Sequence, residues 1–400
     1  MTRQRVPTRD ETALSADESS HALRVREHLV REIEAAGGWI SFERYMDIAL
    51  YAAGLGYYSA GAHKLGEGGD FTTGPEVSAL FGACLAQQCA EVLRALGGAA
   101  AGGAAILEVG AGSGRLAVDI LTRLMALDAL PERYFILEIS ADLRERQRRF
   151  VEARIPHLQG RVEWLDAPPA AAFNGVILAN EVLDALPVAR FRWYRSHCEE
   201  LGVGLAHERF TWVPRPASAG MSEMCRVLAA AGGWDEGYVS EYCPRLEEWA
   251  LHVTRSLAAG MVLWVDYGLP RAQYYLRERR DGTLMCHFRH RAHHDPFLYP
   301  GLQDISAWVD FTALAQASRS AGWQLAGFTT QAHFLAGLHI EREMQALAGN
   351  DANGFARLAN EARRLMLPGE MGERFKIMAW SRGLDGPWRG FELKDLRHTL

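Results

Sequence analysis

Acidic side chains follow several of the predicted strands in this chain, and their types and spacing could do chemistry. Four of them come directly after apolar, strand-like runs: Glu138, Asp166, Glu181 and Asp266. In a parallel sheet the carboxyl ends of the strands meet at one edge, and ligands bind there. Carboxylates at that edge can accept hydrogen bonds from hydroxyl and amino groups or pair with a cation. The sequence therefore predicts a ligand cleft lined by carboxylates.

A glycine-rich turn comes before these carboxylates in the chain. Residues 105–116 read Ala-Ile-Leu-Glu-Val-Gly-Ala-Gly-Ser-Gly-Arg-Leu, an apolar run that meets Gly110, Gly112 and Gly114. Glycine at alternate positions lets the backbone turn sharply and lets a ligand come close. The dinucleotide pattern GxGxxG fails from Gly110 because Arg115 stands at its sixth position, and a frame that starts two residues later passes only weakly.

The residues around the turn favour a cofactor without phosphate. Glu108 would repel a pyrophosphate at the N-terminus of the following helix, whereas S-adenosylmethionine (SAM) carries a sulfonium and an ammonium. Glu138 stands at the separation that lets a carboxylate bind both ribose hydroxyls, and Asp166 is then placed for the adenine amino group. With Asn180 and the three glycines, these residues form the predicted cofactor-binding set. A purely structural glycine turn is the alternative.

The order of the predicted elements indicates an α/β fold. Strand-like runs alternate with helical sequence through five units, and two closing strands follow. This pattern fits the Rossmann-like, seven-stranded sheet of class I methyltransferases. The predicted strands are 106–109, Tyr134–Ile139, Val162–Leu165, Asn174–Ala179, Met261–Val265, Trp323–Thr330 and Arg374–Trp380.

Composition and turn residues divide the chain into four regions. They are, in order, a disordered tail (1–20), a helical N-terminal extension (21–100), a methyltransferase core (101–388) and a C-terminal tail (389–400). Two insertions are expected within the core, at about 190–240 and 269–301. A glycine- and alanine-rich stretch separates the extension from the core and marks the boundary.

One loop of the N-terminal extension carries polar residues that could reach a ligand. Residues 64–78 contain glycines and a proline, which favour a loop, together with Asp70 and Glu76. Loops beside a rigid scaffold are where ligand contacts concentrate. An ordinary turn before the helix predicted to start at Val77 is the alternative.

Charge and composition argue against several classes of protein. The chain has 43 basic and 49 acidic residues, a net charge of -6, and no basic stripe, so a nucleic-acid partner is not expected. No apolar run approaches the roughly 18 residues of a membrane span, so membrane insertion is not expected either. Arginines mixed with acidic residues near the N-terminus, and six cysteines without disulfide-like spacing, favour a cytoplasmic location.

Four histidines lie close together in the second insertion. They are His287, His290, His293 and His294. No cysteine or carboxylate cluster completes a metal-binding set around them, so we expect a basic loop and no metal. The oligomeric state is open, with a homodimer as one possibility.

In the order of its motifs the chain resembles the MidA-like SAM-dependent methyltransferases, a family that includes the mitochondrial complex I assembly methyltransferase. The matching segments are Gly56-Tyr57-Tyr58, Gly69–Thr73 with Pro75-Glu76, Leu107–Gly114, Leu137–Ser140, Ala179–Glu181, Asp184–Pro187, Asp266–Gly268, Gly301–Phe311 and Phe334-Leu335. The resemblance implies a class I core, SAM as cofactor, and arginine in a respiratory complex I subunit as substrate. Ala111 and Ser113 depart from the family's usual glycine turn, which contains proline.

An arginine substrate would need carboxylates in the site. A guanidinium is a planar cation with a fork of donors, and carboxylates bind it bidentately. The candidate catalytic residues are Glu181 and Asp184 after the fourth strand, with Asp70 and Glu76 closing from the N-terminal loop. Two other functions stay open: a small-molecule methyltransferase with an enclosed pocket, and a SAM-binding assembly factor without turnover.

Overall fold

The computed structural model describes residues 14–60, 73–97 and 103–400. Its strands are β1 Ala105–Val109, β2 Arg133–Leu137, β3 Val162–Leu165, β4 Phe173–Asn180, β5 Ala189–Tyr194, β6 His197–Ala206, β7 Arg209–Pro216, β8 Tyr238–Tyr242, β9 Leu257–Leu269, β10 Met285–Phe288, β11 Arg291–His293, β12 Asp304–Ser306, β13 Val309–Asp310, β14 Gln324–Thr330 and β15 Phe375–Arg382. Its helices are α1 Ala16–Ala35, α2 Phe42–Tyr51, α3 Gly74–Val77, α4 Ala79–Ala95, α5 Arg115–Ala126, α6 Ala141–Arg154, α7 Ala219–Gly232, α8 Leu246–Thr254, α9 Arg271–Tyr274, α10 Phe311–Ser320, α11 Gln331–Gly337, α12 Ile340–Ala348, α13 Ala352–Met366 and α14 Arg389–Glu392. Within these ranges no helix is both long enough and apolar enough to cross a bilayer.

The central sheet has the strand order β14-β15-β9-β4-β1-β2-β3. β1, β2, β3, β4 and β9 run parallel, whereas β15 is antiparallel to both of its neighbours, β9 and β14. This order confirms the predicted class I methyltransferase sheet. β9 extends beyond the predicted Met261–Val265 at both ends, because its flanking residues pair with β15 and β13.

Helices cover both faces of the central sheet. Successive side chains of a strand point to opposite faces, so Ile106 of β1 packs with α4 and α5, whereas Leu107 and Val109 pack with α8 and α10. All three side chains are buried. The carboxyl edge of the parallel strands is therefore the place where a cleft can form.

Both insertions form small sheets beside this core. The first has the order β7-β6-β5-β8, and the second has the order β11-β10-β12. The alternation of apolar and polar residues over 191–214 predicts a β-hairpin or meander. The structure adds a fourth strand, β8, which pairs with β5 after α7 has intervened. The N-terminal extension packs on both insertions, since Phe42 of α2 contacts Trp212 and Tyr45 contacts Phe297.

The first helix begins earlier than predicted. α1 starts at Ala16, within the predicted disordered tail at 1–20, and residues 1–13 lie outside the described ranges. The side chain of Ser15 accepts the N–H of Glu18, and the Glu18 carboxylate accepts the N–H of Ser15. This reciprocal capping satisfies two backbone donors and fixes the start of the helix.

The predicted C-terminal tail at 389–400 is packed against the core. Phe391 is buried and contacts the ring of Phe334. The N–H of Gly390 donates to the side-chain oxygen of Gln88 at 3.1 Å. The prediction of a tail is wrong here, because one aromatic side chain and a backbone bond anchor a segment whose composition is mostly polar.

The backbones of β4 and β1 come very close to each other at Gly175. Its φ is +150°, and a Cβ at this position would lie 1.8 Å from the carbonyl oxygen of Ala105. We expect Gly175→Ala to lower the free energy of unfolding by about 2 kcal/mol or more, measured by urea denaturation. Gly160→Ala is the control, since no described atom lies within 4 Å of its Cβ, and its effect should stay within about 0.5 kcal/mol. Equal midpoints for the two variants would contradict this account.

Candidate active site

A cleft of about 460 Å³ opens at the carboxyl ends of β1, β2 and β4. The glycine turn, α2 and the loop after β4 contribute to its wall. Its volume lies in the range of small-molecule sites. Six of the predicted site residues outside the glycine turn line it together: Glu76, Glu108, Glu138, Asp166, Asn180 and Glu181.

The three glycines of the turn all have left-handed backbone. Their φ angles are 67° at Gly110, 54° at Gly112 and 82° at Gly114. Gly110 and Gly112 line the cleft. Gly114 does not line it but is the N-cap of α5, and a Cβ there would lie 3.4 Å from Cγ of Gln147. Two glycines therefore border the ligand space, and the third lets the helix begin.

Glu138 is held in place from behind. Its carboxylate accepts the N–H of Ser140 at 2.9 Å and the side-chain amide of Gln147 at 3.1 Å. The same amide donates to the carbonyl of Gly112 at 2.9 Å, so Gln147 joins Glu138 to the glycine turn. Burial raises the pKa of Glu138. Gln147 is absent from the predicted set, because its position on a polar helix gives no local signal of this role.

Glu108 lines the cleft at the end of β1 and is more enclosed than Glu138. It is buried, and the hydroxyl of Tyr134 donates to it at 2.8 Å. Burial raises its pKa to about 7, against the lowering effect of the Tyr134 bond. A cationic ligand in the cleft would favour the ionised form of this carboxylate.

Glu181 reaches the cleft from a strained position at the end of β4. Its φ is 54°, which is uncommon for a residue with a Cβ. One carboxylate oxygen accepts the side-chain amide of Asn180 at 3.0 Å and the N–H of Gly74 at 3.2 Å. The buried side-chain oxygen of Asn180 has no partner among the described residues. Burial, followed by the charge of Asp184, raises the pKa of Glu181 to about 8.

Asp266 shapes the loop that carries Glu181. It is completely buried at the end of β9, and one of its oxygens accepts the N–H groups of Val182, Leu183 and Asp184 at 3.2, 2.9 and 3.3 Å. Burial raises the pKa of Asp266, and the charge of Asp184 adds to this effect. The position of Asp266 after a predicted strand indicates a site residue. The sequence does not indicate which loop it anchors, because that loop is 82 to 84 residues away.

Asp184 lies behind the loop and does not line the cleft. One oxygen accepts the hydroxyl of Tyr267, and the other is buried without a partner in the described part of the chain. Burial, with the charge of Asp304, raises its pKa to about 7. The structure therefore does not bring Glu181 and Asp184 together as a pair facing one ligand.

Glu76 lines the cleft beside the glycine turn. Ser113 of the glycine turn donates its hydroxyl to Glu76 at 2.5 Å, and Arg115 lies 3.8 Å from the other carboxylate oxygen. Glu76 thereby ties α3 of the N-terminal extension to the glycine turn. Asp70, the other candidate from this loop, lies outside the described residues.

Two tyrosines of the N-terminal extension also line the cleft. Tyr58 donates its hydroxyl to Asp304 at 2.8 Å, and Tyr51 donates to the carbonyl of Ala185 at 2.9 Å. Asp304 in turn lies 3.9 Å from His287 of the histidine-rich insertion. Among the described residues no group of three or more His, Cys, Asp or Glu side chains is arranged to hold a metal ion. Sequence reasoning missed these tyrosines because their partners, Ala185 and Asp304, are 134 and 246 residues further along the chain.

The chain is similar to known methyltransferases in sequence. Residues 84–329 match the model of a family described as S-adenosyl-L-methionine-dependent methyltransferases. The mitochondrial protein arginine methyltransferase NDUFAF7 of Danio rerio is 30% identical, and the match covers 92% of this chain and 89% of the relative. The mitochondrial protein of the same name from Homo sapiens is 27% identical, with 88% and 82% covered.

The fold is similar to that of a solved structure. A protein of Burkholderia thailandensis, crystallised with bound S-adenosyl-homocysteine, is 42% identical to this chain. The two superpose with a TM-score of 0.92, and the match covers 97% of this chain and 99% of the other.

The relatives overturn the predicted cytoplasmic location. The names of the proteins from Danio rerio and Homo sapiens place them in mitochondria. All six cysteines are free thiols. Free thiols and a mixed-charge N-terminus do not separate the two compartments, so the prediction is wrong.

Glu181 should make the stability of the ligand-free protein depend on pH. Its pKa is about 8 when folded and its ordinary value is 4.5, so stability falls as the pH rises between these values. We expect Glu181→Gln to raise the melting temperature above that of the wild type near the upper limit of this window. Below the lower limit, where the carboxyl is protonated in both states, the two should melt alike. The exposed Glu163→Gln is the control. A difference between wild type and E181Q that stays constant across the window would contradict burial of an ionisable carboxyl.

Proposed function

Because this chain belongs to the family of SAM-dependent methyltransferases, we propose that it methylates an arginine side chain of a protein. The chain is a methyltransferase and SAM is its cofactor. The arginine substrate is supported by the names of the relatives, protein arginine methyltransferases that match over most of their length. A subunit of respiratory complex I, implied by the family resemblance, is the protein substrate we expect.

The residues of the cleft fit SAM. The left-handed glycines leave room beside the turn, and the unpartnered oxygen of Asn180 is an acceptor for an ammonium group. We propose that Glu138 binds the ribose hydroxyls and that Asp166 accepts the adenine amino group. When bound, SAM supplies an electrophilic methyl group on a sulfonium. The chain then has to orient the acceptor nitrogen, exclude water and remove a proton.

The observation that carries the proposal is the position of Glu181. It lines the cleft between the glycine turn and the N-terminal extension, and Asn180 and Gly74 fix its carboxylate. An ionised Glu181 would bind a guanidinium and orient one nitrogen. Methylation of that nitrogen releases one proton, and the carboxylate of Glu181 is placed to accept it. In this proposal Asp184 and Glu76 are positioning residues. Asp184 is bound to Tyr267, and Glu76 is bound to Ser113.

Cofactor binding should depend on Glu138. We expect Glu138→Ala to raise the Kd for S-adenosyl-homocysteine by about tenfold or more, because hydrogen bonds to a charged group are lost. Isothermal titration calorimetry would measure the change. Glu132→Ala, which removes an exposed carboxylate just before β2, is the matched control and should leave the Kd unchanged. An unaltered Kd for E138A would show that Glu138 does not bind the ribose hydroxyls.

Transfer of labelled methyl groups tests the activity. The full-length protein would be incubated with methyl-labelled SAM and a fractionated mitochondrial lysate, with Gly112→Val as the blank, and labelled proteins would be digested to find the modified residue. We expect label on arginine of a complex I subunit. Label on another amino acid, label only in small molecules, or cofactor binding without any transfer would each overturn the proposal.

The same assay tests the role of Glu181. Glu181→Gln should lower kcat by about 100-fold while the KM for SAM changes little, because the acceptor loses its orienting and proton-accepting group. Glu163→Gln should match the wild type. Arginine methylation by E181Q at the wild-type rate would show that the carboxylate has no part in the reaction.

A further inference from the structure

Arg245 bridges the core and the N-terminal extension at one end of the cleft. It precedes α8, lines the cleft, and its side chain is 44% exposed. Its Nε lies 2.5 Å from a carboxylate oxygen of Glu43, and its Nη1 lies 3.0 Å from a carboxylate oxygen of Asp47. We call this end, lined by Asp47 and Arg245, the mouth of the cleft.

The two acids of the mouth are prearranged for a guanidinium. Glu43 and Asp47 are four residues apart on α2 and so share one face of the helix. Arg44 binds the second oxygen of Asp47 at 3.1 Å and also Glu32 at 2.9 Å, which fixes the Asp47 carboxylate. The chain's own guanidinium occupies the position that an arginine from outside would prefer.

We infer that Arg245 is a specificity-determining residue: it competes with the substrate's arginine for Glu43 and Asp47 at the mouth of the cleft. This inference rests on the proposed arginine methyltransferase function. An entering guanidinium has to exchange with Arg245 before it moves on toward Glu181. A neutral side chain cannot displace Arg245 from the two carboxylates, so the exchange selects for a cationic acceptor.

The strength of the ion pairs makes the exchange feasible. Arg245 is partly exposed, and both acids keep some contact with solvent, so each pair is individually weak. A buried bridge of the same geometry would lock the mouth. A half-exposed bridge can open and re-form, and while it is closed Arg245 occupies both carboxylates.

Binding of small arginine analogues tests the inference. The probes are Nα-acetyl-arginine amide and its neutral counterpart, Nα-acetyl-citrulline amide, titrated into the full chain saturated with S-adenosyl-homocysteine. Arg245→Ala should bind the arginine probe about twofold to tenfold more tightly than the wild type, because the internal competitor is gone. The affinity for the citrulline probe should not change. Arg245→Gln, which keeps a polar side chain, should behave like R245A if the loss of charge is the cause.

Two further variants separate competition from structural support. Arg245→Lys keeps the positive charge and should bind the arginine probe like the wild type. Arg149→Ala removes a more exposed ion pair on α6, with Glu145, and is the charge control away from the cleft. It should change neither affinity.

Three results would overturn the inference. The first is binding of the arginine probe by R245A and R245Q that is equal to or weaker than that of the wild type. The second is an equal gain for both probes, and the third is no binding by any variant. Failure of the proposed function is distinguishable, since it appears as methyl label on a residue other than arginine. Failure of the competition instead appears as arginine methylation with an unchanged affinity of R245A.

Discussion

A single buried acidic side chain, that of Asp266, holds the loop after β4 to the sheet. Asp266 accepts three consecutive backbone N–H groups, those of residues 182–184, and so fixes the chain directly after Glu181. A buried carboxyl oxygen needs hydrogen-bond donors, and here the loop itself supplies them. β4 and β9 are neighbours in the sheet, with Asn180 opposite Val265, so the anchor and the loop start from adjacent positions. The left-handed backbone of Glu181 depends on this support.

The same region concentrates carboxyl groups that hold protons near neutral pH. Burial raises the pKa of Glu108 to about 7, that of Glu181 to about 8 and that of Asp184 to about 7. Such shifts occur where folding places ionisable groups in a poorly solvated cleft, and they often mark functional sites. A cation that enters the cleft stabilises the ionised forms, so binding and proton release are linked. The buried carboxyl groups that bind charged ligands therefore lower the stability of the ligand-free protein.

Local patterns in the sequence were sufficient to predict the part of the candidate site that belongs to the central sheet. The glycine turn and the acids after strands could be predicted because a strand followed by a turn has a short-range signature. The orientation of Asp184 could not, since its partner Tyr267 is 83 residues away. The bond from Tyr58 to Asp304 spans 246 residues and joins two segments that look like ordinary loops. Packing between distant segments decides such contacts, and the local periodicity of the sequence does not indicate this packing.

The insertion sheet and the chain ends show the same limit. β8 is separated from its partner β5 by β6, β7 and α7, so the alternating pattern of residues 191–214 indicates a hairpin or meander but not its fourth strand. The C-terminal segment is mostly polar, yet Phe391 anchors it against Phe334. In each case one long-range contact outweighs the average composition of the segment.

The packing of α2 has a consequence for synthesis of the chain. The hydroxyl of Tyr45 donates to the carbonyl of Pro296, which is 251 residues further along, and Phe42 packs on Trp212. At a ribosomal rate of roughly 5–20 residues per second, α2 waits on the order of ten to fifty seconds for its full set of partners. During that interval its apolar side chains are without their final cover. A nascent chain of this protein therefore needs protection from aggregation over most of its translation, and a polypeptide truncated before residue 296 would never obtain that cover.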